Sequence, residues 1–429
     1  MSYPLDPILT TVAGLRSRLT DGLSGTVEEG RLPLARRADG LVGSVIDSST
    51  SLLAAQSHDV VRFAMGAPAP DLTPWEALRD AAVRVWDSSS FTYGATEGEP
   101  ALVDAVVSRG RETGSPWRPE RMVVTSGGMQ GLDLAFKLFV DPGDVVVVES
   151  PTYTNGSATA LSYGAALLEV PVDADGMDVD ALERLVAEVG REPKVVYTIP
   201  TFQNPSGVTL SLERRERLLE LAHRWESIIV DDDPYGELRF AGEDIPSFDQ
   251  LSAGDPQVFS VRTFSKMLAP GLRVGWVDAD PRLHPLIIAA KQAMDTCTNV
   301  PNQHLAAEMV RSGELDRHLE RLRGEYRVRK EAMTEALTSH LGDGVRVTDP
   351  EGGIFLWVTL VGPNAGIDSR RLFETALAEG VAIIPGPALS PSGRFADAFR
   401  LCFASTDPDS TRTGVERLAA AVERERSST

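Results

Sequence analysis

From Arg62 onward the chain alternates two patterns of hydrophobic and polar positions. Short runs rich in β-branched residues predict strands at Met122 to Thr125, Val145 to Glu149, Ala166 to Val170, Val195 to Ile199, Ile228 to Asp231, Val258 to Arg262 and Leu272 to Val277. Between them, amphipathic stretches predict helices such as Gln130 to Phe139, Val179 to Val189 and Leu212 to Trp225. This alternation is the pattern of an α/β chain with a mainly parallel central sheet and helices on both faces. From about Pro301 to Leu341 the pattern is nearly all helical and rich in Arg and Glu, as suits an element joining two domains. Strands then follow at Val345 to Val347, Ile354 to Thr359, Val381 to Ile384 and Arg400 to Phe403, around one helix at Ser369 to Glu379, which describes a smaller α+β domain. The last residues, ERERSST, read as a charged end. Ahead of the alternating region, weak helical signals at Pro7 to Leu23 and Leu41 to Ala55 describe an arm. The expected organisation is an arm over residues 1–60, a large domain over 61–300, and a linking helix with a small domain over 301–429.

Composition narrows the function. With 62 acidic against 42 basic residues the net charge is −20, so a nucleic-acid face or an anionic membrane surface would work against long-range repulsion. Two cysteines, Cys297 and Cys402, are too few for a disulfide framework and lack zinc-site spacing, which fits a reducing cytoplasm. The six histidines include no HExxH pair, and no GK dipeptide ends a phosphate loop. No apolar run is long enough to span a membrane, and the first residues have no basic leader. Only five lysines occur, Lys137, Lys194, Lys266, Lys291 and Lys330, so chemistry needing an amine has few candidates.

Ligands of open α/β sheets bind at the carboxyl ends of the strands, so the residues delivered there matter most. The first strand ends in TSGGMQG; Gly127 and Gly128 ahead of a helix either permit a tight turn or expose N–H groups to an anion. The next ends in ESPTYTNG, where Tyr153 either packs or stacks on a planar ligand. VVYTIPTFQNPSG holds out Asn204, within an ordinary Asn-Pro turn signal. Asp231, Asp232 and Asp233 follow a buried strand; they invite a divalent-cation reading, against that of a solvated acidic turn. In SVRTFSKMLAPGLRVGW, Lys266 ends a strand and Arg273 lies seven positions on, an arrangement suited to Schiff-base chemistry.

Taken in order, the Gly-rich helix start, the Tyr, the Asn-Pro, Asp-x-x-Tyr, and Ser-Lys followed by Pro-Gly-Leu-Arg resemble the fold-type I pyridoxal-phosphate enzymes of the class I/II aminotransferase superfamily, over about residues 60 to 405. YGATEGEPALVDAV, TSGGMQGLDLAFKLFVDPGD, PTFQNPSGVTLS and FSKMLAPGLRVGW are most similar to the branch of the 2-aminoadipate aminotransferases and of aminotransferase-like transcriptional regulators. The resemblance implies pyridoxal 5'-phosphate as cofactor, no metal, and amino-group transfer between an L-amino acid and a 2-oxo acid. Lys266 would hold the cofactor as a Schiff base and shuttle the proton. Asp232 would pair with the ring nitrogen, while Tyr235 and Asn204 would bond the phenolic oxygen. Gly128 and Met129 would carry the phosphate with Thr263 and Arg273, and Tyr153 would stack on the ring. Arg400 would grip the substrate α-carboxylate, with Gly66 lining the same end and Asn204 beside it. Tyr93, by the same resemblance, reaches the phosphate of the partner subunit, which implies a homodimer with shared sites.

Two positions depart from that branch. Met129 stands where relatives often have a polar residue. Ser49 falls where aminoadipate-type relatives carry an arginine for a distal carboxylate, leaving Arg36, Arg37 or Arg62 to compensate. Two other readings share the cofactor: an enzyme diverting the carbanion to β-elimination, decarboxylation or oxidative deamination, and a regulatory module. The regulator reading lacks a strongly basic segment among the residues before 60.

Overall fold

The computed structural model describes residues 58–428, together with residues 9, 10, 35, 38, 41 and 43. Most of the expected arm, including Arg36, Arg37 and Ser49, lies outside the described residues. Where the arm is described it departs from expectation, since Leu9–Thr10 (β1) is a short strand and not part of a helix.

The central sheet is built from β1, Met122–Thr125 (β2), Val145–Ser150 (β3), Ala166–Asp173 (β4), Val195–Thr198 (β5), Ile228–Asp232 (β6), Val258–Thr263 (β7) and Gly275–Asp278 (β8), in the order β1-β4-β3-β5-β6-β7-β8-β2. A ninth short strand, Gly176–Met177, pairs with β4. The five central strands β4, β3, β5, β6 and β7 are parallel, whereas β1 and β8 run against their neighbours. Both faces are covered, which explains why these strands read as continuous apolar runs. Val145 and Val147 pack with Leu182, Leu218 and Leu221 on one side, while Val146 and Val148 join the larger core with Phe136 and Leu134 on the other.

One expected strand begins later than its pattern suggests. Pro270–Leu272 forms a single 3-10 turn and Arg273 takes a left-handed backbone (φ 52°), so β8 starts only at Gly275. Gly275 is needed there because a Cβ would come within 2.6 Å of the Arg262 carbonyl on β7. The helical stretch after residue 300 is two helices, Val300–Arg311 and Glu314–Leu341, broken at Gly313 with a left-handed backbone (φ 72°).

A second sheet joins Val345–Val347 (β9), Phe355–Leu360 (β10), Ile384–Pro385 (β11) and Ala398–Cys402 (β12) in the antiparallel order β9-β10-β12-β11. The single strand expected at Val381 to Ile384 divides in two. Val381–Ala382 pairs with Val61–Arg62, and the chain then changes partner so that Ile384 and Pro385 lie along β12. Pro385 has no N–H to donate, which suits an edge position. The charged C-terminal end is also more than a tail. Pro408–Ser428 is one helix whose Val415, Leu418, Ala421 and Val422 are buried, and Glu425 accepts a hydrogen bond from Thr375 at 2.5 Å.

Candidate active site

The parallel strands end at one edge of the central sheet, and β8 begins at that edge because it runs the other way. Residues following β2, β5, β6 and β7 and preceding β8 therefore meet there, across from residues 64–67 and β12. They enclose a cavity of about 260 Å³ lined by Gly66, Gly128, Met129, Tyr153, Asn204, Asp232, Tyr235, Thr263, Lys266, Arg273 and Arg400. Every site residue expected from the sequence lines this cavity except Tyr93, which is 88% exposed in the single chain.

Lys266 follows β7 in an irregular turn and points inward, where its Nζ donates to the Gly66 carbonyl at 2.5 Å. Desolvation by the surrounding protein pulls its ammonium down to about 8. Asp232 is the last residue of β6, and its Oδ2 accepts from the Tyr197 hydroxyl at 3.0 Å. Burial raises its carboxyl to about 7, against the lowering effect of that hydrogen bond. The contact follows from register: Tyr197 lies opposite Val230, so Asp232 is its diagonal neighbour on the same face. Sequence reading missed Tyr197; a tyrosine in a strand otherwise β-branched was the available signal. Tyr235 is buried, with its ring edge-on to Phe355 at 5.9 Å.

The three consecutive aspartates do not converge. Asp231 points to the opposite side of β6 and pairs with Arg262 at 2.7 Å. Asp233 caps the following turn through the N–H groups of Tyr235 and Gly236. Neither the divalent-cation reading nor that of a solvated turn describes them.

One end of the cavity brings together a helix start and a guanidinium, two features that favour an anion. Gly128 opens a helix running to Phe139, and Gly127 before it adopts φ +86°. A Cβ on Gly127 would come within 2.5 Å of Arg273 Nη2, which itself donates to the Ser126 carbonyl at 3.1 Å. The left-handed turn at Arg273 is what carries its guanidinium back to this helix start. Thr263 and Ser265, 2.9 Å apart through their hydroxyls, lie alongside. Tyr153 also lines the cavity, and its hydroxyl donates to the sulfur of the unexpected methionine, Met129, at 3.6 Å.

At the other end Arg400, from β12, is 1% exposed. Its Nη1 donates to Asn204 Oδ1 at 2.9 Å and its Nη2 to the Ala64 carbonyl at 2.8 Å, while Phe355 lies 4.2 Å from the guanidinium carbon. Its Nε has no hydrogen-bond partner. Arg62, one of the side chains expected to compensate at a distal carboxylate, is exposed on its short strand and does not line the cavity.

A further buried carboxylate, Glu149 at the end of β3, escaped the sequence reading. It accepts from Thr198 Oγ1 at 2.6 Å and Gln203 Nε2 at 3.0 Å, and Gln203 in turn binds Ser206, so the loop carrying Asn204 is tied to the sheet. Burial raises the Glu149 carboxyl to about 7, with Thr198 and Gln203 opposing the rise.

The family described as aminotransferase class I and II matches residues 58–418. The chain is 38% identical to aromatic-amino-acid aminotransferase 1 of Thermococcus litoralis, over 96% of this chain and 99% of that protein. Among solved structures, the kynurenine aminotransferase of Pyrococcus horikoshii, in complex with PMP, KYN and KYA, superposes with a TM-score of 0.85 at 38% identity, covering 92% of this chain and 97% of that one. An alpha-aminoadipate aminotransferase from Thermus thermophilus, complexed with N-(5'-phosphopyridoxyl)-L-leucine, gives 0.84 at 34% identity, over 92% and 98%.

Proposed function

The chain belongs to the class I and II aminotransferases, enzymes that move amino groups with pyridoxal 5'-phosphate, and on that premise we propose that Lys266, Asp232 and Arg400 divide the work of one site between them. The residues present fit the cofactor. An anion cradle at Gly128 and Arg273, a buried carboxylate at Asp232 and a desolvated amine at Lys266 border a single cavity, and a Cβ at Gly127 would fill the cradle.

In this reading the N–H groups of Gly128 and Met129, with Thr263 and Arg273, hold the phosphate, because a helix N-terminus and a guanidinium both favour an anion. Tyr153 would cover the ring, and Asn204 and Tyr235 would bond its phenolic oxygen. Asp232 would pair with the ring nitrogen, where a positive charge would bring its carboxyl back toward the ordinary range. When bound, the cofactor supplies an electron sink for the bond breaking at the substrate Cα. Lys266 is the tether and, once released, the base that carries the Cα proton; an amine near 8 has a free lone pair in a useful fraction of molecules at neutral pH. Arg400, with Gly66 beside it, fixes the α-carboxylate, and its unspent Nε–H and the stacked Phe355 keep the guanidinium poised for that anion.

The substrates are an L-amino acid and a 2-oxo acid. Relatives are named for aromatic amino acids, kynurenine and aminoadipate, so these donors are the first to try. The active unit is a homodimer: Tyr93 is 88% exposed, and Phe91 at 69%, Trp75 at 67% and Val83 at 80% are likewise exposed apolar side chains that a second copy would cover. The unpaired Cys297 and Cys402 favour a reducing, cytoplasmic setting. Among the described residues no helix is long and apolar enough to cross a membrane.

The observation that carries the reading is the convergence of Lys266, Asp232 and Arg400 on one cavity from three distant stretches of chain. Its test is borohydride reduction of protein reconstituted with pyridoxal phosphate, followed by peptide mapping. We expect label at Lys266, and no label and no transamination in Lys266→Ala. Label at another lysine, or turnover by Lys266→Ala, overturns it.

A further inference from the structure

The helix His284–Gln292 and the turn after it place a charged pair behind the anion cradle, outside the cavity. Lys291, whose side chain is fully buried, donates to Asp295 Oδ1 at 2.7 Å and to Gln130 Oε1 at 3.3 Å. The other oxygen of Asp295 accepts twice, from Ser126 Oγ at 2.8 Å and from Gln130 Nε2 at 2.8 Å. Gln130 completes the ring by accepting the Ser126 backbone N–H at 2.7 Å. Ser126 is thus held at its hydroxyl by Asp295, at its N–H by Gln130 and at its carbonyl by Arg273. Neither Lys291 nor Asp295 lines the cavity, and the proposed chemistry uses neither.

A buried lysine is costly unless paired, and a turn of Ser126, Gly127 and Gly128 has little side-chain bulk to define its own shape. We propose that Asp295, clamped by Lys291, is a positioning residue that sets the Ser126–Gly128 turn and so aims the N–H groups at the helix start toward the cofactor's phosphate. This rests on the reading of that helix start as the phosphate site. Preorganisation of this kind matters because hydrogen-bond donors misplaced by a fraction of an ångström lose much of their grip. Asp295 stays a full acceptor there: burial works against its charge, but Lys291, Gln130 and Ser126 together hold its carboxyl below the usual range.

The test compares two probes on the apoprotein, pyridoxal 5'-phosphate and pyridoxal, which differ only in the phosphate. Ser126→Ala removes one hydroxyl and Asp295→Asn removes the charge while keeping an acceptor; thermal melts of both apoproteins confirm that they fold. Affinities come from fluorescence titration, without reference to turnover. We expect the preference for the phosphorylated probe to fall about tenfold or more in Asp295→Asn and by a smaller factor in Ser126→Ala, with pyridoxal binding little changed, in line with the cost of losing groups that orient a binding shell. A preference equal to wild type in both variants overturns the proposal and leaves the site assignment standing. Wild-type protein that reduction with pyridoxal phosphate leaves unlabelled at Lys266 overturns the assignment itself, and this proposal with it.

Discussion

Three aspartates in a row have three different fates, and the alternation of side chains along a strand decides them. Asp231 and Asp232 point to opposite faces of β6, so one pairs with Arg262 in the core and the other faces the cavity, while Asp233, past the strand, caps a turn. The resemblance to the family's Asp-x-x-Tyr motif singled out the middle carboxylate; its hydrogen bond to Tyr197 was not legible, because it depends on the register of β5 against β6. Glu149 was invisible for the same reason, its partners lying some fifty positions away in sequence. It is also a titration probe. Its carboxyl sits near 7 in the folded chain, against about 4.3 when unfolded. Between those values the folded protein holds a proton that the unfolded chain has released, so stability falls as pH rises through that window and is flat above it. Glu149→Gln removes the titration and can still accept from Gln203 and donate to Thr198. We expect the variant to gain on wild-type apoprotein between pH 5 and pH 8, by up to about 3 kcal/mol, as read from denaturant melts at the two values. A difference between variant and wild type that does not change with pH would contradict the buried, protonated carboxyl.

Elements place these residues by how they end. The parallel strands finish at one edge, and β8, which runs the other way, starts there, which is how Arg273 joins a cradle whose glycines lie nearly 150 positions earlier. The apolar runs marked most of the strands, but not the 3-10 turn and left-handed residue that delay β8, since Leu272 and Val274 are as apolar as the strand itself. Gly127 is where element and site meet. With φ at +86° and only 2.5 Å between a built Cβ and Arg273, Gly127→Ala is expected to cost about 1–3 kcal/mol in backbone strain and to weaken cofactor binding more than tenfold, checked by thermal melts and by titration of the apoprotein. Full affinity in that variant would mean that the cradle is looser than its geometry implies. The C-terminal helix was legible in principle: Val415, Leu418, Ala421 and Val422 recur at helical spacing, masked by the charged residues around them.

Across the whole molecule, one chain supplies every proposed site residue to the cavity except Tyr93. Tyr93, Phe91, Trp75 and Val83 are all largely exposed in the single chain, and large apolar side chains left in water are costly for a lone subunit. Sedimentation at micromolar concentration should therefore find a particle of twice 46.2 kDa, and Tyr93→Phe should keep that mass while weakening cofactor affinity. A 46.2 kDa particle with full turnover would remove the partner from the site.

What the sequence by itself determined is local in character: strands from β-branched runs, helices from amphipathic stretches, a glycine-rich helix start, and short motifs whose resemblance to a known family marked Lys266, Asp232, Tyr235 and Arg273 within their own segments. These follow from backbone geometry and side-chain periodicity, which act over a few residues. Only the tertiary structure decided the register that sets Tyr197 on Asp232, the change of partner at Ile383, the stacking of Phe355 on Arg400, and the ring from Lys291 through Asp295 to Ser126. Each of these is a contact between stretches far apart in the chain, chosen by which faces must be buried together, and no short-range pattern encodes that choice.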